Sequence, residues 1–421
     1  MKEASYDIIV IGGGPAGMMA AGRAGELGAR VLLIEKNDRL GKKLSITGGR
    51  RCNITNDERD NHLFLENFPE AKQFLFSPFS QFNVDDTFEF FESRGLPLMV
   101  EDRRRTFPKS EKAEDVCKLL EEYVKESGNV TIKLNTAAES FIMNGDELAG
   151  VKTSAGSFRA PKIILATGGF AAPETGSTGE GLSMLETIGH TVTDPDPNLA
   201  PLRTLSRWVH DLSGTTLDDM TLRFVQGGTA KLKFRGRLLF THFGISGPLV
   251  INAAHEVKKL LKNGSLDASV DLFPDDDLGN LDARLLALFE ESKNKYLKTV
   301  LKDLLQKRLS EVILAFPDLK LGNVPVHSIT KDQRKLLVHR LKDLNFPIAG
   351  TLGFEWSIVA DGGVIPEEIN FKHMNSRIHP GLYLIGDTIN INRPSGGFSL
   401  QLCWTTGFVA GTHATNAPSS L

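Results

Sequence analysis

The stretch Tyr6-Asp-Ile-Ile-Val-Ile-Gly-Gly-Gly-Pro-Ala-Gly17, together with Val31-Leu-Leu-Ile-Glu-Lys36, decides the fold of this chain. The run Ile8–Ile11 is short, apolar and β-branched, as in a buried parallel strand. Glycines follow it at GxGxxG spacing, and a helical segment and a second apolar strand come next. This order predicts a strand–helix–strand unit that binds a dinucleotide.

The three glycines of this motif have separate roles. Gly12 permits a tight turn, Gly14 lets a pyrophosphate approach the backbone, and Gly17 lets the helix pack on the strand. The helix then directs its N-terminal amides at the phosphates. Glu35 follows the second strand, where an acidic side chain can accept hydrogen bonds from the adenosine ribose hydroxyls.

The composition bounds the class of protein. A chain of 421 residues is long enough for two or three domains. The formal net charge of −3 and the pI of about 6.4 provide no overall positive field, so we expect a small-molecule substrate and no nucleic-acid partner. The run Arg103-Arg104-Arg105 stands alone, which favours a solvated or cofactor-side patch over a polyanion-binding surface.

The three cysteines, Cys52, Cys117 and Cys403, are far apart and odd in number, which fits neither a disulfide framework nor a zinc site. We therefore expect no metal and a reducing compartment. No apolar run reaches about 18 residues and no basic segment precedes the first strand. These features predict a cytoplasmic protein without a membrane span or signal peptide.

The residue pattern changes three times along the chain. From Thr191, prolines and short strand-like segments at 221–226, 231–235 and 267–273 predict a small β-barrel over 191–274. Residues 275–343 are leucine-rich at helical spacing, which predicts a helical subdomain. The first texture returns over 350–421. The sequence thus predicts an α/β fold, a Rossmann-like domain of residues 1–190 and 350–421 split by an insert at 191–349.

Three strand ends carry glycines, at Gly12–Gly17, at Gly168-Gly169 and at Gly386-Asp387. Their separation favours one long ligand touched at several points, and FAD fits this better than NAD. In such folds an acid after the last strand accepts hydrogen bonds from ribityl or phosphate-side hydroxyls. The helix after Gly397 can direct its positive end at the flavin, which would stabilise an anionic reduced ring.

Several further motifs occur in order along the whole chain. They are Lys42-Lys43-Leu44, Thr47-Gly48-Gly49-Arg50-Arg51-Cys52-Asn53, Arg105-Thr-Phe-Pro-Lys-Ser110 with Lys112-Ala113, Ala166-Thr-Gly-Gly169, Thr175-Gly-Ser-Thr-Gly-Glu-Gly181, Phe240-Thr-His-Phe-Gly-Ile-Ser-Gly-Pro248 and Gly396-Gly-Phe-Ser-Leu-Gln401. With them the chain resembles the BaiN/YhiN-like bacterial flavoproteins, also described as aminoacetone oxidase-like FAD-binding proteins. The pattern of that family has a third glycine where this chain has Arg50.

The resemblance implies a two-part FAD domain with an inserted barrel and helical subdomain. By motif, the residues that should line FAD are Gly12, Gly14, Pro15, Ala16, Gly17, Glu35, Lys36, Lys43, Thr47, Gly48, Asn53, Ala166, Thr167, Gly168, Gly386, Asp387, Gly397 and Phe398. Activities attributed to relatives include NAD(P)H-dependent flavin reduction, reduction of conjugated enones in steroid-like acids, and amine oxidation. The family does not fix one substrate.

Catalytic candidates remain open from sequence. Arg50, Arg51 and Arg393 could hold an anionic substrate or stabilise reduced flavin, or could pair with the pyrophosphate. His242 could be a proton donor, or could cap a barrel loop and pack against the flavin domain. Cys52 has no resolving cysteine and no adjacent histidine, so packing or flavin contact is favoured over thiol chemistry.

The sequence therefore predicts an FAD-dependent oxidoreductase, in which NAD(P)H reduces the flavin and the flavin reduces a small organic acceptor such as an activated carbon–carbon double bond or a quinone-like compound. No second GxGxxG unit is present, so a nicotinamide would bind transiently. The alternatives are a flavin-dependent amine oxidase that uses dioxygen and a non-catalytic FAD-binding redox sensor or scaffold. The oligomeric state is left open.

Overall fold

The computed structural model describes residues 6–198, 200–319, 321–356 and 359–416. The described chain divides into two compact units. The first consists of residues 6–197 and 359–416, and the second, the inserted unit, consists of residues from 198 to 356. Two segments that are distant in sequence thus build one unit, and the stretch of chain between them forms a core of its own.

The strands, in chain order, are β1 (Ile8–Ile11), β2 (Val31–Ile34), β3 (Thr55–Asn56), β4 (Leu98–Glu101), β5 (Arg105–Pro108), β6 (Val130–Lys133), β7 (Ala138–Asn144), β8 (Glu147–Thr153), β9 (Gly156–Arg159), β10 (Lys162–Leu165), β11 (Val192–Asn198), β12 (Leu202–Arg203), β13 (Thr216–Gln226), β14 (Thr229–Thr241), β15 (Gly244–Ser246), β16 (Leu266–Asp271), β17 (Leu344–Ile348), β18 (Gly350–Thr351), β19 (Val359–Val364), β20 (Ile369–Asn370), β21 (Asn375–Ser376) and β22 (Leu382–Leu384).

The helices are α1 (Pro15–Glu26), α2 (Thr47–Arg50), α3 (Asn61–Leu65), α4 (Lys72–Phe79), α5 (Val84–Ser93), α6 (Ala113–Glu126), α7 (Glu180–Thr187), α8 (Arg207–Asp211), α9 (Pro248–Lys262), α10 (Leu278–Glu291), α11 (Leu297–Val300), α12 (Lys307–Leu314), α13 (Lys331–Lys342) and α14 (Phe398–Asn416). Short 3-10 turns lie at Leu44–Ile46, Asp102–Arg104, Pro173–Thr175, Leu301–Asp303, Val326–Ser328, Phe354–Trp356, Pro366–Glu368 and Gly386–Thr388. No helix in the described ranges is long and apolar enough to cross a membrane.

The first unit is built on a seven-stranded sheet in the order β20-β21-β22-β10-β1-β2-β6. Five of these strands, from β22 to β6, run parallel. The residues of β1 and β2 are all buried, which is why both strands are continuous apolar runs with no polar alternation. The predicted strand–helix–strand unit is confirmed.

Helices α1 and α14 approach each other closely because glycines face backbone at their contact. A Cβ on Gly407 would lie 2.5 Å from the carbonyl oxygen of Ala16, and a Cβ on Gly411 would lie 2.6 Å from that of Ala20. This contact joins the N-terminal segment of the first unit to its C-terminal segment, so the unit is completed only when both segments are present.

The inserted unit contains a second seven-stranded sheet, which is antiparallel, in the order β17-β16-β13-β14-β15-β12-β18. Its two outer strands are consecutive in the chain, separated by Ala349, whose N–H donates to the Arg203 carbonyl at 2.8 Å. The sheet therefore curls back on itself, with residues 344–351 pairing on both sides.

This closing segment differs from the sequence prediction, which placed all the barrel strands before residue 275 and assigned residues from 350 to the first domain. Strands over 221–226, 231–235 and most of 267–273 are confirmed within β13, β14 and β16. The last strands follow the helical segment α10–α13 because they pair with β16 and β12, partners that are distant in sequence. Sequence pattern alone carries no signal for such pairing.

Candidate functional site

One edge of the large parallel sheet brings the predicted glycine motifs together. The strand order β22-β10-β1-β2 places Asp387, Thr167, Gly12 and Glu35 after the carboxyl ends of four neighbouring strands. Ligands of open α/β sheets bind outside this edge. These four residues are spread from position 12 to position 387 of the sequence, and the sheet brings them to one edge.

The first glycine loop is shaped to leave room for a ligand. Gly12 has a φ of +105°, and a Cβ there would lie 2.5 Å from the carbonyl oxygen of Ala166. A Cβ on Gly17 would lie 1.9 Å from the carbonyl oxygen of Gly12, so only glycine fits at this position in the first turn of α1. At Gly14, by contrast, no heavy atom of the described residues, apart from those of its own local backbone, lies within 4 Å of an added Cβ. This open space at the start of α1, where Pro15 is the first helical residue, suits a pyrophosphate.

Glu35 is buried and holds this loop by hydrogen bonds. Its Oε2 accepts from the N–H of Gly13 at 2.7 Å, and its Oε1 accepts from the N–H and Nδ2 of Asn37 at 2.8 and 2.7 Å. A carboxylate can accept about four hydrogen bonds, so one position on Oε2 is left for a ribose hydroxyl. The residue therefore orders the loop and still has capacity for the predicted ribose contact.

Two buried polar atoms at this edge have no partner in the described structure. They are Oδ1 of Asn53 and Oγ1 of Thr167, both in residues that the sequence predicts to line FAD. Buried polar atoms are nearly always hydrogen-bonded in proteins. Together with the open space at Gly14, these two atoms fit a bound group with hydrogen-bonding functions, so the residues present are compatible with FAD.

Asp387 has two cationic neighbours at the end of β22. Its Oδ2 lies 3.8 Å from Nζ of Lys43, and its Oδ1 accepts a short hydrogen bond from the Arg393 guanidinium. The Arg393 side chain is 1% exposed, and it also donates to Ser399 Oγ at 3.1 Å and to the Ile391 carbonyl. These contacts turn Arg393 inward toward Asp387, and its role as a substrate clamp stays a prediction.

Lys36 is also engaged by the chain. Its Nζ lies 2.8 Å from Thr178 Oγ1 and 2.9 Å from Glu180 Oε2, and this ion pair connects the end of β2 to the start of α7.

The remaining strand ends are tightly fitted. Gly168 has a φ of +73°, and a Cβ on Gly386 would lie 3.1 Å from the Cβ of Ala16. The last strand therefore ends beside the first turn of α1.

The loop before β3 contains a left-handed turn. Gly48, Gly49 and Arg50 have φ values of 56°, 69° and 70°, and the N–H of Cys52 then donates to the Thr47 carbonyl at 3.1 Å. Glycine adopts this conformation freely, but a residue with a Cβ does so at a cost. Arg50 stands where the family pattern has a third glycine, and the backbone keeps the conformation that glycine would favour.

The start of α14 is fixed against β3. A Cβ on Gly397 would lie 2.2 Å from the carbonyl carbon of Thr55, so the helix begins at very close range to that strand. Phe398 packs in an aromatic cluster with Phe64 and Phe68, at ring-centroid distances of 4.9 and 6.1 Å. Its side chain is therefore part of the core, and only its backbone remains for a predicted cofactor contact.

Sequence reasoning missed Gln401 and Asn56, which fasten this region. The Gln401 carboxamide is fully buried, accepts from Oγ1 of Thr55 at 2.6 Å, and donates to the Asn83 carbonyl at 3.1 Å. Nδ2 of Asn56 donates to the carbonyls of Arg103 and Gly396, at 3.1 and 3.2 Å. The polar glutamine within the apolar first turns of α14 was the one available sequence signal.

His242 lies in the inserted unit and is exposed. Its ring centroid is 4.9 Å from that of Phe243 and 6.4 Å from that of Trp356, and Trp356 is 51% exposed. Within the described chain its nitrogens have no hydrogen-bond partner. The proton-donor hypothesis for this residue stays a prediction.

The buried thiols of Cys52 and Cys403 are unreactive. Burial raises the pKa of Cys52 to about 12, although Thr47 lowers it in part through a hydrogen bond. Burial likewise raises the pKa of Cys403 to about 12. Because the thiolate is the reactive form, neither side chain is a nucleophile near neutral pH.

Comparison with known proteins finds a family model and relatives that match nearly the whole chain. A family model described as the HI0933-like protein Rossmann domain matches residues 6–413. The chain is 28% identical over 418 residues to the 3-dehydro-bile acid delta(4,6)-reductase of Clostridium scindens, covering 97% of this chain and 99% of that protein. It is 30% identical over 423 residues to the ribosomal RNA dihydrouridine synthase of Escherichia coli, with 99% of each chain covered.

Two solved structures show the shared fold at low identity. The 3-ketosteroid delta1-dehydrogenase from Sterolibacterium denitrificans has a TM-score of 0.55 and 15% identity, with 98% of this chain and 99% of that chain covered. A flavocytochrome c3 fumarate reductase has a TM-score of 0.51 and 16% identity, with 98% and 79% covered. The architecture is thus an α/β Rossmann-like FAD-binding fold with additional antiparallel sheets.

Proposed function

The chain belongs to the HI0933-like family of FAD-dependent oxidoreductases, and from that premise we propose that it reduces a carbon–carbon double bond conjugated to a carbonyl, with NAD(P)H as the electron donor. Chemically, the names of both relatives describe this reaction. A 3-dehydro bile acid with a delta(4) double bond is an enone, and the uracil ring that becomes dihydrouridine carries a double bond conjugated to a carbonyl. The shared chemistry is the reduction of an activated alkene.

The single observation that supports a redox cofactor is the sheet edge. Four neighbouring strand ends present Glu35, the open loop at Gly14, the unpartnered Oγ1 of Thr167 and the partly buried Asp387 in one row. Asn53 adds a second unpartnered oxygen from the adjoining loop. This length of complementary surface fits a dinucleotide and exceeds the needs of a mononucleotide.

The residues divide the work as follows. Glu35 would hold the adenosine ribose, the Gly12–Gly14 loop the pyrophosphate, and Asp387, positioned by Arg393, the ribityl or phosphate side. FAD, when bound, supplies a two-electron carrier between NAD(P)H and the double bond. Overall, the reaction adds hydride to the β-carbon and a proton to the α-carbon, and consumes one NAD(P)H and one proton. His242 remains the candidate for holding that proton.

A uracil in RNA is the second candidate substrate, and the charge distribution favours keeping it. Residues 198–357 contain 23 lysines and arginines against 18 aspartates and glutamates, a formal charge of +5, while the rest of the chain carries −8. Strand β14 presents Lys231, Lys233, Arg235 and Arg237 at alternate, exposed positions. The near-neutral total therefore conceals a cationic insert, and the expectation of no nucleic-acid partner rested on that total.

Anaerobic titration of the purified holoprotein tests the proposal. NADH or NADPH should bleach the flavin absorbance, and an enone or a uridine-containing rRNA fragment should restore it. Mass spectrometry would then detect the saturated ketone or dihydrouridine. Failure of both nicotinamides to bleach the flavin would overturn the reductase assignment. Reoxidation by air alone, with formation of hydrogen peroxide in the presence of amines, would support the oxidase alternative.

A further inference from the structure

Backbone strain in this protein is concentrated on one small sheet. Eight non-glycine residues in the described chain have positive φ, and five of them lie on the loops around the three-stranded sheet β3-β5-β4. These five are Arg50, Cys52, Arg103, Arg104 and Glu111. Such residues cost free energy and tend to occur where a side chain has a task.

Neighbouring arginines of this sheet are paired with carboxylates. Arg51 forms ion pairs with Glu101 and Glu111, and its guanidinium lies 4.2 Å from the ring centroid of Phe107. Arg104 pairs with Glu58 in the same way. These ion pairs stabilise the turns in which they lie. They neutralise the nearby carboxylates Glu58, Glu101 and Glu111.

Arg50 and Arg103 are different. Both side chains are exposed, and within the described ranges neither has a hydrogen-bond or ion-pair partner. Both backbones are left-handed, with φ values of 70° and 60°. The stability of the fold does not account for an arginine with positive φ and no partner, because glycine would adopt the same conformation at a lower cost in free energy.

The ion pair between Arg51 and Glu101 links the turn that contains Arg50 to the turn that contains Arg103. Arg50 directly precedes Arg51, and Arg103 follows Glu101 by two residues, so the pair joins the two turns. Both turns also adjoin the candidate cofactor site. Arg50 shares its loop with Asn53, and the Arg103 carbonyl is tied to that of Gly396 through Asn56.

We propose that Arg50 and Arg103 form an anion-binding site that recognises a carboxylate or phosphate group of the substrate. The proposal rests on the proposed function, since it names a group that the reduced substrate must carry. The guanidinium fork matches the geometry of both anions, and two such forks on braced turns can bind an oxyanion from two directions. Because the family pattern has glycine at position 50, this contact would distinguish the substrate of this chain from those of its relatives.

Binding of anions to the oxidised holoprotein, without any reductant, tests the site. Succinate, inorganic phosphate and a decauridylate serve as separate probes, followed by calorimetry and by the flavin difference spectrum. Arg50→Gly and Arg103→Gly should each weaken binding of the recognised probe about ten- to hundred-fold. The probe that binds identifies the source of the anion, a carboxylic acid or a nucleic-acid phosphate.

Two matched controls separate charge from strain. Arg159→Ala removes another exposed arginine, from β9, and should leave anion binding unchanged. Asn135→Gly relieves a positive φ of 51° without removing a charge, and should raise the melting temperature as Arg50→Gly does. A lower melting temperature for Arg50→Gly with unaltered anion binding would show a structural role and overturn the proposal. So would an absence of binding of all three probes to the unmodified protein at millimolar concentration.

Failure of this inference can be told apart from failure of the proposed function. The binding measurement needs no electron donor, so it can succeed in a protein that NAD(P)H does not reduce. Conversely, a protein that reduces neutral enones but binds no anion keeps the reductase function and loses this site.

Discussion

The edge of the large sheet and the small sheet β3-β5-β4 both contain backbone in the left-handed region, but they use different residues there. At the edge the positive φ values belong to Gly12, Gly168 and Gly386, where a side chain would collide with neighbouring atoms or fill ligand space. Around the small sheet, three of the five non-glycine residues with positive φ are arginines. The difference teaches that the edge offers backbone to its ligand, whereas the small sheet offers side chains, at a cost in strain.

The largest effect should come from filling the edge. Gly14→Val is expected to abolish FAD binding while leaving the fold intact, because an added Cβ meets no heavy atom within 4 Å among the described residues beyond its local backbone. Flavin content and the melting temperature of the apoprotein measure the two outcomes. Gly17→Val is the contrast, since its Cβ would lie 1.9 Å from a carbonyl oxygen and should prevent folding. A yellow Gly14→Val protein would refute the assignment of the pyrophosphate to this loop.

A smaller but still large effect is expected where the edge depends on a buried charge. Arg393→Met leaves Asp387 without its buried partner, and loss of one member of a buried pair costs about 3–5 kcal/mol. The free energy of unfolding and the FAD affinity should fall together. Lys36→Ala breaks the more exposed pair with Glu180 and should cost about 1 kcal/mol or less. Normal FAD affinity with weakened substrate binding in Arg393→Met would restore Arg393 as a substrate clamp.

Two adjacent residues in the loop before β3 allow a test with opposite expected changes in stability. Gly49 and Arg50 have nearly equal φ values, 69° and 70°. Gly49→Ala should lower the free energy of unfolding by about 1 kcal/mol, and Arg50→Gly should raise it by a similar amount. Urea unfolding of the two variants measures both. Destabilisation by both substitutions would mean that Arg50 is required for folding, and the contrast between the two regions would disappear.

The smallest effect concerns pH and lies outside both regions. The imidazole of His190 is fully buried, with Nδ1 2.7 Å from Glu368 Oε2 and Nε2 3.0 Å from Ser376 Oγ. Burial lowers the pKa of His190, although Glu368 acts in the opposite direction. Because Ser376 Oγ already accepts from two backbone N–H groups, its hydroxyl donates to Nε2, which requires neutral histidine.

The lowered pKa of His190 determines the direction in which stability changes with pH. A histidine whose folded pKa is depressed contributes stability above its unfolded pKa of about 6.5, and this contribution is lost as the pH falls below that value. We expect the free energy of unfolding to fall between pH 6.5 and 5.5, by less than the limit of about 1.4 kcal/mol per pH unit for one proton. His190→Asn should flatten this dependence, while His339→Asn, on an exposed helix face, should not. An unchanged slope in His190→Asn would assign the pH dependence to another group.

The sequence by itself determined the strand–helix–strand unit, the glycine-bearing strand ends and the acid at Glu35. These features are local, because a buried strand and a glycine turn each impose residue types within a few positions. The split of the first unit could also be foreseen from the return of its texture after residue 350. The FAD-lining residues and the insert boundaries stay predictions that binding and deletion experiments can test.

Tertiary structure alone decided which of these local features meet. The strand order β22-β10-β1-β2 aligns four strand ends, and the pairing of β17 with β16 closes the second sheet after a helical segment. It also sorted the arginines, since Arg393 turned inward to Asp387 while Arg50 and Arg103 were left exposed. A charged side chain takes its role from the partners within a few ångströms, and those partners come from distant parts of the chain.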